Sequence, residues 1–313
     1  MTRLDTDRLQ AARGPHFGGG LTKTSFVGQW ELVEKAAEGR FTEVFLARPA
    51  GNGESTSAPY AIKMLRRPWE TDARAVQMMR REALLGRLVS HPHLVSILSG
   101  STGTAPYYVV MPWLAGVTLE AKLAGGRPLG VPEAIWITRQ IADALDALAA
   151  AGWMHGDVKP GNIFISPEGH ATLLDLGFAR RTGGQEPDAG EWLAGTGQYL
   201  APEALVRGLH VDIRSDLYSL GVTLFEMLSG QPPFTGSTPA ELARQHRQAR
   251  PRQLDDLARR LPVGVAALVR EMLAKEPLRR PQTPRDVVER LVRAEIATLA
   301  EKCRSRAEFQ AVS

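Results

Sequence analysis

The stretch HGDVKPGN (155–162) decides the fold prediction for this chain. It contains an acid, Asp157, with a lysine two positions later at Lys159 and an asparagine five positions later at Asn162. Aspartate, glycine, proline and asparagine all favour turns, so the stretch alone is also compatible with a polar turn. Its meaning therefore depends on what stands at fixed distances on either side.

Two further motifs lie downstream. A short strand-like run ends in Asp175-Leu176-Gly177, thirteen residues after Asn162. The segment GTGQYLAPE (195–203) follows. A lone D-x-G indicates only a turn, whereas three motifs in this order are far more specific.

Two charged residues lie upstream. Lys63 ends the apolar run YAIK (60–63), and Glu82 follows nineteen residues later inside a predicted helix. A strand-end lysine and a helical glutamate are each usually solvated surface charges. Their place ahead of the central stretch is what gives them significance.

The first half of the chain is predicted to be rich in β-strands. Residues 1–26 include Gly18-Gly19-Gly20 and few large apolar side chains, so this start is predicted to be flexible. A helix is predicted from about 70 to 89. The predicted strands are WELVEKAA (30–37), TEVFLARP (42–49), PYAIKML (59–65), LVSIL (94–98) and YYVVM (107–111).

The second half is predicted to be helical. Residues 133–150 place Ile137, Ile141, Leu145 and Leu148 on one helix face. Further helical patterns cover 215–229, 239–248, 263–274 and 284–302. A small β-rich part thus precedes a larger helical part, which predicts the α+β class with a join at 111–116.

Composition excludes several classes of protein. The 313 residues carry 38 basic and 34 acidic side chains, and this net charge of +4 is too small to indicate a nucleic-acid partner. The single cysteine, Cys303, excludes a disulfide framework. No apolar run reaches the ~18 residues of a membrane span. The charged start MTRLDTDRLQ is unlike a signal peptide. We therefore expect a cytoplasmic protein.

The motifs together resemble the signature set of protein kinases, in particular bacterial Hanks-type (eukaryotic-like) serine/threonine kinases. The resemblance covers about Val27 to Leu291. It implies a protein-kinase-like bilobal fold with a small β-rich N-lobe (27–110) carrying one regulatory helix. A linker (111–116) and a larger, mainly helical C-lobe (117–291) follow. Residues 1–26 are then a flexible N-terminal segment and 292–313 a C-terminal helical tail.

The resemblance also implies roles for the charged residues. Asp157 accepts or orients the proton of the substrate hydroxyl, and Lys159 neutralises charge on the transferred phosphoryl group. Asn162 and Asp175 bind Mg²⁺, which Mn²⁺ can replace. Lys63, paired with Glu82, holds the α- and β-phosphates of ATP.

Further residues are implied in nucleotide binding and in support of the site. The nucleotide-binding residues are Gly39 in the phosphate loop, Val44, Ala61 and Phe164 against the adenine faces, and Met111, Pro112 and Leu114 in the linker. Proline lacks an amide donor, but Pro112 keeps the carbonyl that adenine needs. The supporting residues are Thr196, Asp216 and the pair Glu203 and Arg280.

The glycine-rich loop departs from the family pattern. The expected G-x-G-x-x-G falls on Ala37-Glu38-Gly39-Arg40-Phe41-Thr42, which keeps only the middle glycine. Ala37 and Thr42 make this loop stiffer and bulkier. We expect weaker or slower handling of the nucleotide.

The activation segment departs as well. Position 156, where many kinases carry an arginine that binds a phosphorylated activation loop, is Gly156. Thr182 is the only hydroxyl residue between Arg181 and Gly195, and acids already stand at Glu186, Asp188 and Glu191. We expect activity that needs no phosphate on this loop.

The resemblance leaves alternatives open. A pseudokinase that binds ATP without transferring phosphate is favoured by the degenerate loop and Gly156, and opposed by the complete charged set. A small-molecule phosphotransferase is opposed by GTGQYLAPE, which resembles a platform for peptide substrates. The expected partners are protein serine and threonine hydroxyls. Autophosphorylation at Thr22, Thr24 or Ser25 and a homodimer are further expectations.

Overall fold

The computed structural model describes residues 25–51, 58–183, 197–206, 209–251, 256 and 261–311. The chain divides into two compact units. The first comprises Met1–Leu88 and Ser96–Val117, and the second comprises Val89–Val95 and Thr118–Ser313. Strands dominate the first unit and helices the second, so the predicted α+β class is confirmed.

The first unit is built on one antiparallel sheet in the order β1-β2-β3-β4-β6-β5. Its helix is α1 (Ala73–Leu88), preceded by a short 3₁₀ helix (Arg67–Trp69). The strands are β1 (Ser25–Val27), β2 (Trp30–Glu38), β3 (Thr42–Pro49), β4 (Tyr60–Leu65), β5 (Ser99–Ser101) and β6 (Tyr108–Pro112).

Two local features of this unit differ from the sequence prediction. The sheet begins at Ser25, inside the segment 1–26 that was expected to be flexible, and Ser25 pairs with Leu32. The run LVSIL (94–98) is not one strand, because its two halves bond to different partners: Val95 N–H donates to the Leu173 carbonyl and Leu98 N–H to the Val110 carbonyl.

The core of the first unit lies on one face of the sheet. Alternate residues of β2 and β3 face it, as the two-residue period of a strand requires. Each residue of this core is less than 10% exposed, and the set is Val27, Trp30, Leu32, Phe45, Ala47, Ile62, Tyr108 and Val110. This packing fixes β4, which carries Lys63 inside the strand and not at its end as expected.

The second unit packs around two long helices, α3 (Val131–Ala150) and α4 (Ile213–Ser229). All four residues predicted for one face of α3 are at most 1% exposed. The remaining helices are α2 (Leu119–Leu123), α5 (Pro239–Gln248), α6 (Val263–Met272) and α7 (Pro284–Ala311). Helix α7 is continuous across the predicted boundary between 291 and 292.

Short strands in the second unit hold the segment that carries the candidate site. Strand β8 (Trp153–Met154) pairs with β11 (Arg180–Arg181), and β9 (Ile163–Ile165) pairs with β10 (Ala171–Leu173). Strand β7 (Val117–Thr118) lies where the two units join in sequence. None of the helices in the described part of the chain combines the length and apolarity of a membrane span.

Candidate active site

Asp157 lies at the centre of the site in the second unit, on the loop between β8 and β9. It is 3% exposed. Its Oδ2 atom accepts a hydrogen bond from Asn162 Nδ2 at 2.8 Å and lies 2.7 Å from Lys159 Nζ. Its Oδ1 atom is buried and has no hydrogen-bond partner in the described part of the chain. A buried acceptor without a donor is costly, so this oxygen is prepared for a ligand that brings its own donor.

Asp216 on α4 anchors this loop, as the resemblance implies. Its two carboxylate oxygens accept from the backbone N–H groups of His155 at 2.6 Å and Gly156 at 2.8 Å. Burial raises the pKa of Asp216, and the two amide bonds oppose that rise. The His155 ring adds a second anchor, since its Nε2 donates to the Leu174 carbonyl at 2.9 Å. The loop is therefore held at its start by one buried carboxylate.

Gly156 occupies a backbone conformation that other residues rarely adopt. Its φ is +80°, in the left-handed region. A Cβ atom placed there would lie 2.6 Å from the carbonyl oxygen of Phe178, closer than non-bonded atoms approach. In this backbone conformation, both the dihedral angle and the contact therefore favour glycine. This is a second consequence of Gly156, in addition to the lack of a cation that the sequence already indicates.

Asn162 and Asp175 lie on neighbouring segments of the second unit. Leu174 N–H donates to the Asn162 carbonyl at 2.8 Å, which ties the two segments together. Asp175 has φ of 63° and is the only described non-glycine residue with a positive φ. Its carboxylate accepts from Gly177 N–H at 3.3 Å, while Leu176 is fully buried. Leucine at 176 thus supplies an apolar anchor beside the acid.

These two residues suit a Mg²⁺ ion that also binds phosphate. The Asn162 amide nitrogen donates to Asp157, so the amide oxygen is the atom that would bind a metal. Carboxylate and amide oxygens are hard ligands of the kind that Mg²⁺ prefers. No group of three or more His, Cys, Asp or Glu in the described residues could hold a metal by itself.

Lys63 and Glu82 form a buried ion pair in the first unit. Lys63 Nζ lies 3.0 Å from Glu82 Oε1 and 2.8 Å from Oε2. The two residues are 8% and 2% exposed. Lys63 is on β4 opposite Val44, and Glu82 is on the inner side of α1. The carboxylate holds the ammonium in place, which is what a lysine that binds phosphate requires.

The expected nucleotide-binding residues fall in both units. In the first unit, Val44 pairs with Lys63 and Ala61 with Met111 across the sheet, and Gly39 N–H donates to the Thr42 carbonyl at 2.8 Å in the turn between β2 and β3. Met111, Pro112 and Leu114 lie at and after the end of β6. In the second unit, Phe164 is a half-buried residue of β9.

A second buried ion pair supports the segment after the activation loop. Arg280 donates to Glu203 at 2.6 and 2.8 Å in a two-pronged arrangement. The Ser215 hydroxyl adds a 2.6 Å hydrogen bond to Glu203. Sequence inspection missed Ser215, because a single serine in an apolar helix carries no motif; its position one residue before Asp216 was the available signal.

The activation segment is described only at its ends. Thr182 donates from both its backbone N–H and its hydroxyl to the Gly152 carbonyl, each at 3.0 Å. Thr196 and the acids Glu186, Asp188 and Glu191 lie outside the described residues, as do Thr22 and Thr24. The one hydroxyl expected in the loop is therefore engaged in anchoring β11.

Comparisons with known proteins add independent information. The sequence model described as "Protein kinase domain" matches residues 30–291. The chain is 34% identical over 284 residues to serine/threonine-protein kinase pkn2 of Myxococcus xanthus, covering 87% of this chain and 33% of that protein. It is 34% identical over 278 residues to serine/threonine-protein kinase PknB of Mycobacterium tuberculosis, covering 87% and 44%. This chain therefore matches less than half the length of these curated relatives.

Proposed function

Because the chain belongs to the protein kinase family, we propose that it transfers the γ-phosphoryl group of ATP to serine and threonine hydroxyls of proteins, with Mg²⁺ as the metal. The observation that carries the proposal is the state of Asp157. One of its oxygens is fixed by Asn162 and Lys159, and the other is buried with no donor among the residues that the structure describes. A substrate hydroxyl is the donor that this oxygen lacks.

Each residue has its own proposed role in the displacement at the γ-phosphorus. The substrate oxygen forms a bond to the γ-phosphorus, the bond from that phosphorus to the bridging β-oxygen breaks, and the hydroxyl proton passes to Asp157. Lys159, whose Nζ lies 2.7 Å from Asp157 Oδ2, has the proposed role of neutralising charge on the transferred group. Lys63 binds the non-transferred phosphates, held by Glu82. When bound through Asn162 and Asp175, Mg²⁺ neutralises charge on the phosphates.

Serine and threonine are the proposed acceptors because Lys159 stands two positions after the catalytic aspartate, a pattern typical of serine/threonine kinases. The names of the curated relatives support the same acceptor class. The reducing cytoplasm is the proposed location, in keeping with a single cysteine among 313 residues.

We also infer that activity does not require a phosphate on the activation segment. Gly156 cannot supply a cation, and its φ of +80° disfavours any side chain there. Thr182 uses its hydroxyl to hold the Gly152 carbonyl. A phosphate on Thr182 would remove that donor, so phosphorylation is expected to loosen this strand end instead of ordering it.

The alternative is a pseudokinase that binds ATP without transferring phosphate. The replacement of two loop glycines by Ala37 and Thr42 favours it. The buried Asp157, held by Asn162 and Lys159, opposes it, because a protein that only binds ATP needs no base for a substrate hydroxyl.

Purified protein incubated with labelled ATP and Mg²⁺, with casein as acceptor, tests the proposal. We expect phosphoserine or phosphothreonine, reduced by about a hundredfold or more in Asp157→Asn, which removes the basic carboxylate and keeps the shape of the side chain. Thr182→Ala should keep its rate within about twofold, as for other exposed positions. ATP binding without any transfer by the wild type would favour the pseudokinase. Loss of most activity in Thr182→Ala would refute independence from loop phosphorylation. Mass spectrometry of the same sample locates any autophosphorylation.

A further inference from the structure

The loop between β2 and β3 is attached at its tip to the 3₁₀ helix Arg67–Trp69. The ring of Phe41 packs edge-on against the ring of Trp69, with centroids 4.7 Å apart and an interplanar angle of 87°. The guanidinium of Arg40 lies 4.9 Å from the centroid of Phe41 and 5.8 Å from that of Trp69. We name this group of Arg40, Phe41 and Trp69 the clasp.

Arg66 reinforces the clasp through the backbone. Its N–H donates to the Phe41 carbonyl at 2.9 Å. Its guanidinium donates to the carbonyls of Gly39 and Arg40 at 3.2 and 3.4 Å and pairs with Glu38 at 3.1 Å. Every residue of the loop from Glu38 to Phe41 therefore contacts the segment 66–69. All of these contacts lie inside the first unit.

This attachment holds a loop that falls where a phosphate-covering loop is expected. Such loops generally rely on glycines, whose freedom lets the backbone adapt to a nucleotide. Here two of the three expected glycines are Ala37 and Thr42. The clasp supplies order by side-chain contacts instead. A loop already held in one position loses less conformational freedom when a ligand binds beneath it.

We propose that Trp69 is a positioning residue for nucleotide binding, which holds the tip of the 37–42 loop through Phe41 and Arg40. The inference rests on the proposed function, because it takes the ligand of this loop to be ATP. Trp69 itself need not touch the nucleotide. Its effect should appear in affinity for ATP and not in affinity for the protein substrate.

The test compares Trp69→Ala with Trp69→Phe, which keeps an aromatic ring, and with Arg67→Ala, an exposed position on the same short helix. Calorimetry with Mg²⁺-ATP should give a dissociation constant about fivefold to tenfold higher for Trp69→Ala, the factor expected from one aromatic pair. Trp69→Phe should recover most of this loss, and Arg67→Ala should match the wild type. The KM for ATP should follow the dissociation constant, while the KM for casein stays unchanged.

A double-mutant cycle guards against a general folding defect. If Phe41 and Trp69 act through each other, Trp69→Ala should add little in a Phe41→Ala background. Hydrogen exchange should also be faster for the amides of 38–42 in ligand-free Trp69→Ala, with exchange in β6 unchanged.

Three results would overturn the clasp. The first is an unchanged dissociation constant in Trp69→Ala, and the second is full additivity in the double-mutant cycle. The third is tighter ATP binding by Trp69→Ala, which would mean that the clasp holds the loop away from the nucleotide. If the wild type binds ATP without transferring phosphate, the proposed function fails and the binding constants still decide the role of Trp69. If the wild type binds no ATP, both proposals fail.

Discussion

Substituting alanine for Gly156 should destabilise the protein and slow catalysis for a reason that lies in the backbone. Gly156 has φ of +80°, and a Cβ atom there would lie 2.6 Å from the Phe178 carbonyl oxygen. Gly152, four residues earlier, also has φ of +80°, but no atom lies within 4 Å of its Cβ position. Alanine at either position thus has the same conformational cost, and only alanine at position 156 has a steric cost as well.

The magnitudes follow from this comparison. A non-glycine residue in the left-handed region costs about 1–2 kcal/mol, which is the whole expected effect of Gly152→Ala. For Gly156→Ala the Phe178 carbonyl must also move, and we expect a total of about 2–4 kcal/mol. Phe178 follows Gly177 directly, so the movement is transmitted to the segment that carries Asp175. The turnover number of Gly156→Ala should therefore fall, while that of Gly152→Ala should be close to the wild type.

Urea unfolding of the wild type and both variants measures the stability difference, provided that the slopes agree. Initial rates at saturating ATP and casein measure the catalytic difference. Equal destabilisation of the two variants would refute the steric argument, and a stable Gly156→Ala with normal turnover would refute the argument as a whole.

Three further predictions concern buried side chains that can carry a charge. Glu82→Gln should raise the KM for ATP and lower the free energy of unfolding by about 3 kcal/mol, because the buried Lys63 ammonium loses the Glu82 carboxylate. Glu82→Asp is the control, since it keeps a carboxylate at this position. Arg280→Met should lower the free energy of unfolding in urea by about 3–5 kcal/mol. Adding Glu203→Met should recover much of this free energy, because no buried charge is then left alone. If nothing is recovered, loss of the ion pair is not the cause. His246 is fully buried, and burial lowers its pKa to about 4. The unfolded chain therefore binds a proton that the folded protein does not. Through this group the free energy of unfolding should fall by about 3 kcal/mol as pH drops from 6.5 to 4. The free energy of unfolding should depend less on pH in His246→Gln, and an equal pH dependence in the two proteins would contradict the argument.

Much of the site could be predicted because kinase chemistry needs particular residue types at particular spacings. Asp157, Lys159, Asn162 and Asp175 are close in sequence, and the hairpin of β9 and β10 connects the segments that carry Asn162 and Asp175. The pair of Lys63 and Glu82 was also predictable, since an internal strand followed by a helix brings the two together.

Other features depend on distant parts of the chain. Histidine 246 lies in the arginine-rich run RQHRQARPRQ (244–253), which is typical of a solvated surface, yet its Nδ1 atom lies 3.0 Å from the Tyr218 hydroxyl in the core. Nothing local distinguishes it from the exposed arginines beside it. Only the packing of α5 decides which side of that helix is buried.

The sequence by itself determined the family and the order of the elements, and it predicts the residues that carry phosphoryl transfer, because these depend on residue type and spacing. The tertiary structure alone decided three things: which oxygen of Asp157 is left without a donor, why position 156 favours glycine, and which aromatic residue holds the loop tip. The first depends on the conformation of one loop, and the other two are distances between atoms of segments that are separate in sequence. Such distances are set by the packing of the whole unit, which no local pattern records.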